Sequence, residues 1–332
     1  PFFPRGAEVT EAIDATGGRW FSLHLFPRFA RPTGEDTDAF LVEDLAPLLD
    51  GLVSDRRATS WFYLRHVDVD GPHLRVRVRD LTPAGVAALY AETTLLVKER
   101  LGEGAEIHEA PYVPDTERFG GPTALPVTED VFALSTRVAL DGLARTGRGG
   151  ERLALAGDLA QATAAALGMD RYEAARWLRW QTTGWRWSED VLHTPAPVPS
   201  PRVDPGGGPG REELMRRADA VRHGVANGVG VGPVARWAAG LREADARLEE
   251  AAGRAAEDDG ADGSAVWAAG RASVWTAVRA SLWASHLHLL FNRLGLAPDE
   301  QRAVCRLASH ALTDTWERGP HLPEERPATD AR

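Results

Sequence analysis

Apolar and polar positions alternate through the first third of the chain. Arg19–Phe26 (RWFSLHLF), Trp61–Asp68 (WFYLRHVD) and His73–Asp80 (HLRVRVRD) place apolar residues at every second position, the period of a half-buried strand. Asp68–Pro72, rich in turn formers, separates the last two. Thr37–Leu52 carries Phe40, Leu41, Leu45, Leu48, Leu49 and Leu52 at helical spacing. Thr82, a capping residue before Pro83, opens a second helix to about Leu101. Ala105–Tyr112 reads as a fourth strand. The order β-α-β-β-α-β predicts a ferredoxin-like split unit within residues 1–125 of an α+β protein.

Beyond Pro126 the period becomes helical. Helices are expected over Thr128–Leu143, Glu151–Leu167, Arg171–Trp187, Glu212–Val225 and Pro233–Ala252, then in a long run from Ala265 to Leu294, and finally over Asp299–Trp316. Residues 126–318 should pack on the first part as one integrated unit, with the long helix central. The proline- and glycine-rich Thr194–Gly210 predicts a mobile loop, Glu257–Gly263 a second break, and 319–332 a frayed tail.

Composition excludes several classes. The 332 residues, 43% hydrophobic and 26% charged, suffice for a sizeable core. A net charge of -10 argues against nucleic acid or an anionic membrane as partner. Cys305 is the single cysteine, so neither an intrachain disulfide nor a cysteine metal cluster can form, and a reducing cytoplasm is the expected setting. No signal-peptide pattern opens the sequence, and no apolar run approaches the ~20 residues a bilayer requires. Phosphate-loop, HExxH, GxSxG and dinucleotide signatures are absent. His286 and His288 lie two apart on a helix and diverge too far to share a metal. The chemistry expected therefore uses no metal and no cofactor.

Three clusters remain as candidates. On a strand, His73, Arg75, Arg77 and Arg79 form a basic ladder opposite Leu74, Val76 and Val78; guanidinium forks suit a carboxylate, although a solvated strand face gives the same pattern. Tyr112–Pro122, with Asp115, Arg118 and a Gly-Gly pair, is either a shaped turn beside a cleft or an ordinary loop. Ser281, Ser285, His288 and Asn292 make a polar stripe on an otherwise apolar helix. Such a stripe lines a wet cavity or is satisfied internally, and His288 is suited to moving a proton near neutral pH. Eleven tryptophans, most in the helical part, read mainly as core, with Trp283 beside the stripe.

Taken in order, WFYLRHVDVDGPHLRVRV, YVPDTERFGGP and SHLHLLFNRLG resemble successive motifs of the C-terminal elimination domain of lantibiotic dehydratases and of its stand-alone relatives in thiopeptide pathways. The resemblance runs from Trp20 to about Leu312 and implies an enzyme whose partner is a ribosomally made precursor peptide, leader plus modified core. In the fused dehydratases the domain removes glutamate from glutamylated Ser or Thr. That would put Arg75 and Arg77 on the glutamyl carboxylate, Arg118 nearby, and His288 in proton transfer. Stand-alone relatives include pyridine synthases, which join two dehydroalanines of one peptide by a formal aza-cycloaddition and expel water and leader. There Ser285 and His288 would be the proton donors and Phe291 and Trp283 the hydrophobic walls, with Asn292, Ser281 and Tyr112 also meeting substrate. The long elaboration Thr194–Gly263 and the tryptophan density favour the pyridine-forming reading. A non-catalytic scaffold that binds an acidic leader is a third expectation.

Overall fold

The computed structural model describes residues 20–27, 34–102, 104–183, 209–258 and 265–313. Its strands are β1 (Trp20–Phe26), β2 (Ser60–Asp68), β3 (Gly71–Arg79) and β4 (Glu106–Glu109), joined in one antiparallel sheet in the order β2-β3-β1-β4. Between β1 and β2 the chain runs through α1 (Gly34–Ala39), a π-helical turn (Phe40–Leu45) and α2 (Ala46–Ser54); α3 (Pro83–Leu101) follows β3. The remainder is helical: α4 (Leu125–Arg145), α5 (Gly150–Ala166), α6 (Arg171–Thr183), α7 (Pro209–Ala226), α8 (Gly232–Asp258), α9 (Ala265–Arg293) and α10 (Pro298–His310). The protein is thus a mixed, mainly helical fold with one small sheet.

Local chemistry explains several boundaries. Thr82 caps α3 as its side chain accepts from Gly85 N at 3.1 Å, and Pro83 occupies the first turn, where its missing N–H costs nothing. β4 is shorter than the expected Ala105–Tyr112. Ala110 N still reaches Ser22 O at 3.1 Å, but Pro111 lacks an N–H to continue the ladder, and the chain peels away. The last helix was expected to reach Trp316 but ends at His310, where Ala311 N and Leu312 N turn back onto Leu307 O and Ser309 O. The loop of 194–208, the break at 259–263, the tail from 319, Trp185 and Trp187 lie outside the described residues.

The period-two pattern sorts the sheet into two faces. Phe21, Leu23 and Leu25 of β1, Trp61 and Tyr63 of β2, and Leu74, Val76 and Val78 of β3 are buried in the core shared with α2, α3 and the π turn. A second, larger core lies among the helices, with Trp237, Leu241, Leu282, Trp283, Leu287 and Leu290 fully buried. On its other face the sheet presents Trp20 and Phe62, which pack with Tyr112, Phe119 and Phe132.

Two polar connections fix the helical part against β2. Arg65 of β2 and Arg152 of α5 both grip the Asp38 carboxylate of α1, the former at 2.5 Å. Asn292 of α9 caps the open edge of β2: its Oδ1 accepts from Arg65 N at 3.0 Å and its Nδ2 donates to Arg65 O at 2.8 Å. An unpaired strand edge is thereby closed by a side chain. Asn292→Ala should lower the unfolding free energy by about 2 kcal/mol, roughly one for each lost bond, read from urea melts at unchanged m-value. An unchanged midpoint would show that the edge needs no cap.

Candidate functional site

Between the second sheet face and the helices lies a cavity of about 830 Å³. Arg75 and Arg77 of β3 line it together with Tyr112, Arg118, His288 and Asn292. The basic ladder and the helix stripe, far apart in sequence, therefore meet in one chamber. Register explains the first contribution: Arg77 lies opposite Ser22 of β1 and Phe62 of β2, and Arg75 opposite His24 and Leu64. Both arginines thus share the face away from the main sheet core.

Arg77 is only 6% exposed, and its Nε and Nη1 have no hydrogen-bond partner among the described residues. Its guanidinium lies 4.8 Å from the Tyr112 ring centroid and 5.6 Å from that of Phe62, so ring faces take the place of oxygens. Burial, and after it the charge of Arg75, brings its pKa down to about 10, which still leaves it charged at neutral pH. Arg118, on a short 3-10 turn ahead of Gly120, donates through Nε to Ser285 Oγ at 3.2 Å. Gly120 adopts φ +90°, and an added Cβ would approach Ala124 and Leu282 to 3.1 and 3.2 Å. The Gly-Gly of the motif is therefore a backbone requirement that sets the loop bearing Arg118.

His288 is oriented by a chain of two bonds. Gln301 donates through Nε2 to Leu296 O at 2.9 Å, so its Oε1 is the acceptor facing His288 Nδ1 at 3.0 Å. Nδ1 then carries the hydrogen, and Nε2 is the ring nitrogen that takes up a proton.

The remaining sequence candidates divide. Tyr112 lines the cavity, whereas the Asn292 amide is committed to β2. Ser285 donates to Ser281 O at 3.2 Å and accepts from Arg118, so it braces an arginine and is not among the described residues that line the cavity. Ser281 enters through that carbonyl. Trp283 and Phe291, expected as substrate walls, are buried in the helical core, and neither is among the described residues that line this cavity. The Trp283 indole donates to Asp245 at 2.7 Å, so its polar edge is satisfied inside the bundle.

Arg293 was not singled out in the sequence. It is 0% exposed, none of its three guanidinium nitrogens has a hydrogen-bond partner among the described residues, and it lies 5.4 and 5.9 Å from the Phe132 and Phe62 ring centroids. Burial, then the neighbouring Arg77 charge, lowers its pKa to about 9. The available signal was an arginine in a nearly continuous apolar run, a placement that demands a reason. His286, fully buried among Phe119, Phe132 and Trp283, is pushed down to about 3 by burial and then by Arg293 and Arg118, and stays neutral.

A chamber that brings Arg75, Arg77 and Arg118 together with His288 is suited to holding an anion while moving a proton. The chain belongs to the lantibiotic biosynthesis dehydratase C-terminal family, whose sequence profile matches residues 20–312. Two solved structures share its fold. One is the tRNA-dependent lantibiotic dehydratase MibB from Microbispora sp. 107891, 22% identical over 92% of this chain and 28% of that one, with a TM-score of 0.57. The other is TsrL, 21% identical over 89% of this chain and 94% of that one, with a TM-score of 0.58. A comparison with curated protein sequences gives no match. Among the described residues, no helix is long and apolar enough to cross a membrane.

Proposed function

We propose that this chain removes glutamate from glutamylated Ser or Thr residues of a precursor peptide, leaving dehydroalanine or dehydrobutyrine. The observation that carries the reading is the convergence of Arg75, Arg77 and Arg118 with His288 on one cavity. In the step, the Cα–H bond breaks and its electron pair forms the Cα=Cβ bond. The Cβ–O bond breaks, glutamate departs as a carboxylate with the Cβ–O electron pair, and the Cα proton passes to His288 Nε2. The guanidiniums meet charge that grows on the leaving oxygen, where preorganised donors accelerate a reaction most. Their desolvation strengthens that attraction. The likeness to MibB, a tRNA-dependent lantibiotic dehydratase, is consistent with this reading, as is a peptide partner. The βαββαβ order and the strand order β2-β3-β1-β4 support treating residues 20–109 as a ferredoxin-like unit whose open face forms the cavity floor.

The pyridine-forming reading fits the site less well. Its hydrophobic walls, Trp283 and Phe291, belong to the core, and a cycloaddition has no glutamate for three cations to hold. Mass spectrometry of two incubations separates the readings: one with a glutamylated peptide, the other with a dehydrated, azole-containing peptide bearing its leader. Loss of glutamate from the first alone is expected. Leader loss with ring closure in the second would replace elimination by cyclisation.

A further inference from the structure

We infer that His73 is a positioning residue: as a neutral imidazole it holds the Arg75 guanidinium in place, so that Arg75 presents a fixed edge to the substrate's carboxylate. The inference rests on the elimination reading for what Arg75 does, but the clamp itself stands on hydrogen-bond geometry. His73 Nδ1 lies 3.0 Å from Gly71 O, and a carbonyl only accepts, so Nδ1 carries the hydrogen. Arg75 Nε, which only donates, lies 3.1 Å from His73 Nε2, so Nε2 bears the lone pair. The two partners together specify one neutral tautomer. Gly71, at φ +105°, takes a backbone conformation that side-chain-bearing residues rarely adopt, and this turns its carbonyl to His73.

Asp68 completes the clamp, with Oδ2 3.4 Å from Arg75 Nη2. Nε and Nη2 are thereby occupied, while Nη1 has no partner among the described residues. His73, Asp68 and Arg75 all border the same cavity. An arginine has much side-chain entropy to lose on ordering, and a clamp removes part of that cost before substrate arrives.

Protonating His73 would set an N–H against the Arg75 N–H and add a like charge beside it. The groups facing the ring are His24 of β1, stacked at 4.8 Å, Phe26 at 4.5 Å, His66 of β2 at 5.2 Å, and the Asp68 carboxylate at 3.7 Å, with Asp70 in the turn. Burial, assisted by Arg75, outweighs the two carboxylates and holds His73 below its usual value of 6.5. The stacked His24 is lowered further, to about 4, by burial and then by Arg75, so it adds no positive charge near neutrality.

The test compares the wild type with His73→Gln and His73→Ala. A glutamine oxygen can accept from Arg75 but does not titrate; alanine offers no acceptor. For glutamate release from a glutamylated peptide near pH 7.5, His73→Ala should lower kcat/KM about tenfold to a hundredfold, while His73→Gln restores it to within a few-fold. As pH falls below 6.5, the ratio of wild-type to His73→Gln rates should drop, because only the wild type carries an imidazole at position 73. Equal impairment in both variants, or a ratio independent of pH, would overturn the clamp. Long-range proton–nitrogen NMR on labelled protein supplies an answer independent of turnover. The His73 resonances should report hydrogen on Nδ1 and an acceptor at Nε2, with the Nε2 signal moving in Arg75→Ala. Hydrogen on Nε2 would refute the clamp whatever the activity. Absence of glutamate release by the wild type would instead refute the elimination reading and leave the resonances to decide the clamp.

Discussion

Arg77→Ala should lower kcat/KM for glutamate release by about a hundredfold to a thousandfold while leaving the protein folded. The catalytic loss follows from removing a preorganised, desolvated donor aimed at developing negative charge, worth roughly 3 to 4 kcal/mol where such donors have been deleted. The stability side follows from what Arg77 lacks. Among the described residues its Nε and Nη1 meet no acceptor, so truncation breaks ring contacts with Tyr112 and Phe62 but leaves no carboxylate there stranded. Arg77→Lys should recover little, because an ammonium keeps the charge without the planar fork. Steady-state rates on a glutamylated peptide, paired with thermal melts, check both halves. Retention of full activity by the alanine variant would remove Arg77 from the chemistry.

Arg293→Met should make the protein more stable and less active. A guanidinium at 0% exposure with no hydrogen-bond partner among the described residues bears a desolvation cost that ring contacts with Phe132 and Phe62 only partly offset. A similarly sized apolar side chain should therefore raise the unfolding free energy by about 1 to 4 kcal/mol. The pH dependence has a definite sign. Folding lowers the Arg293 pKa from 12.5 to about 9, so folding works against the charged form. The penalty is complete below about pH 9 and shrinks as pH rises through that value, because the folded state loses the proton before the unfolded chain does. The advantage of the methionine variant should accordingly be constant from neutral pH to about 9 and narrow above it. Denaturant melts at several pH values give the comparison. A methionine variant less stable than the wild type at pH 7 would mean that the charge is compensated inside the protein. The activity loss would arise because Arg293 adds to the positive potential felt at Arg77, whose charge in turn lowers its own pKa. A costly buried cation beside the cavity is the kind of destabilising feature that functional sites retain.

The sequence carried most of the local structure because local structure is written in periods and caps. The alternation HLRVRVR placed Arg75 and Arg77 on the face opposite Leu74 and Val76, and Thr82-Pro83 marked the start of α3. Position along a helix was legible too, since Ser285, His288 and Asn292 fall on one stripe. What each residue touches was not, because the partners are remote in the chain. Asn292 bonds the backbone of Arg65, Ser285 braces Arg118, and His288 is oriented by Gln301 of the following helix. Trp283 shows the same limit: helical spacing gave its phase, but only Asp245 of α8 decides that its indole edge turns into the bundle. Arg77 became a buried cation through docking of the helices on the sheet, whereas the apolar residues around Arg293 were the one local signal of its burial.

The central claim, that this arginine-lined cavity expels glutamate, is tested most directly by a time course with the purified chain and a single glutamyl-seryl peptide, followed by chromatography and mass spectrometry. The account predicts a dehydroalanine peptide and free glutamate appearing together in equal amounts, without added ATP or tRNA. Return of the unmodified serine peptide, which is ester hydrolysis, or persistence of the glutamylated peptide would contradict it.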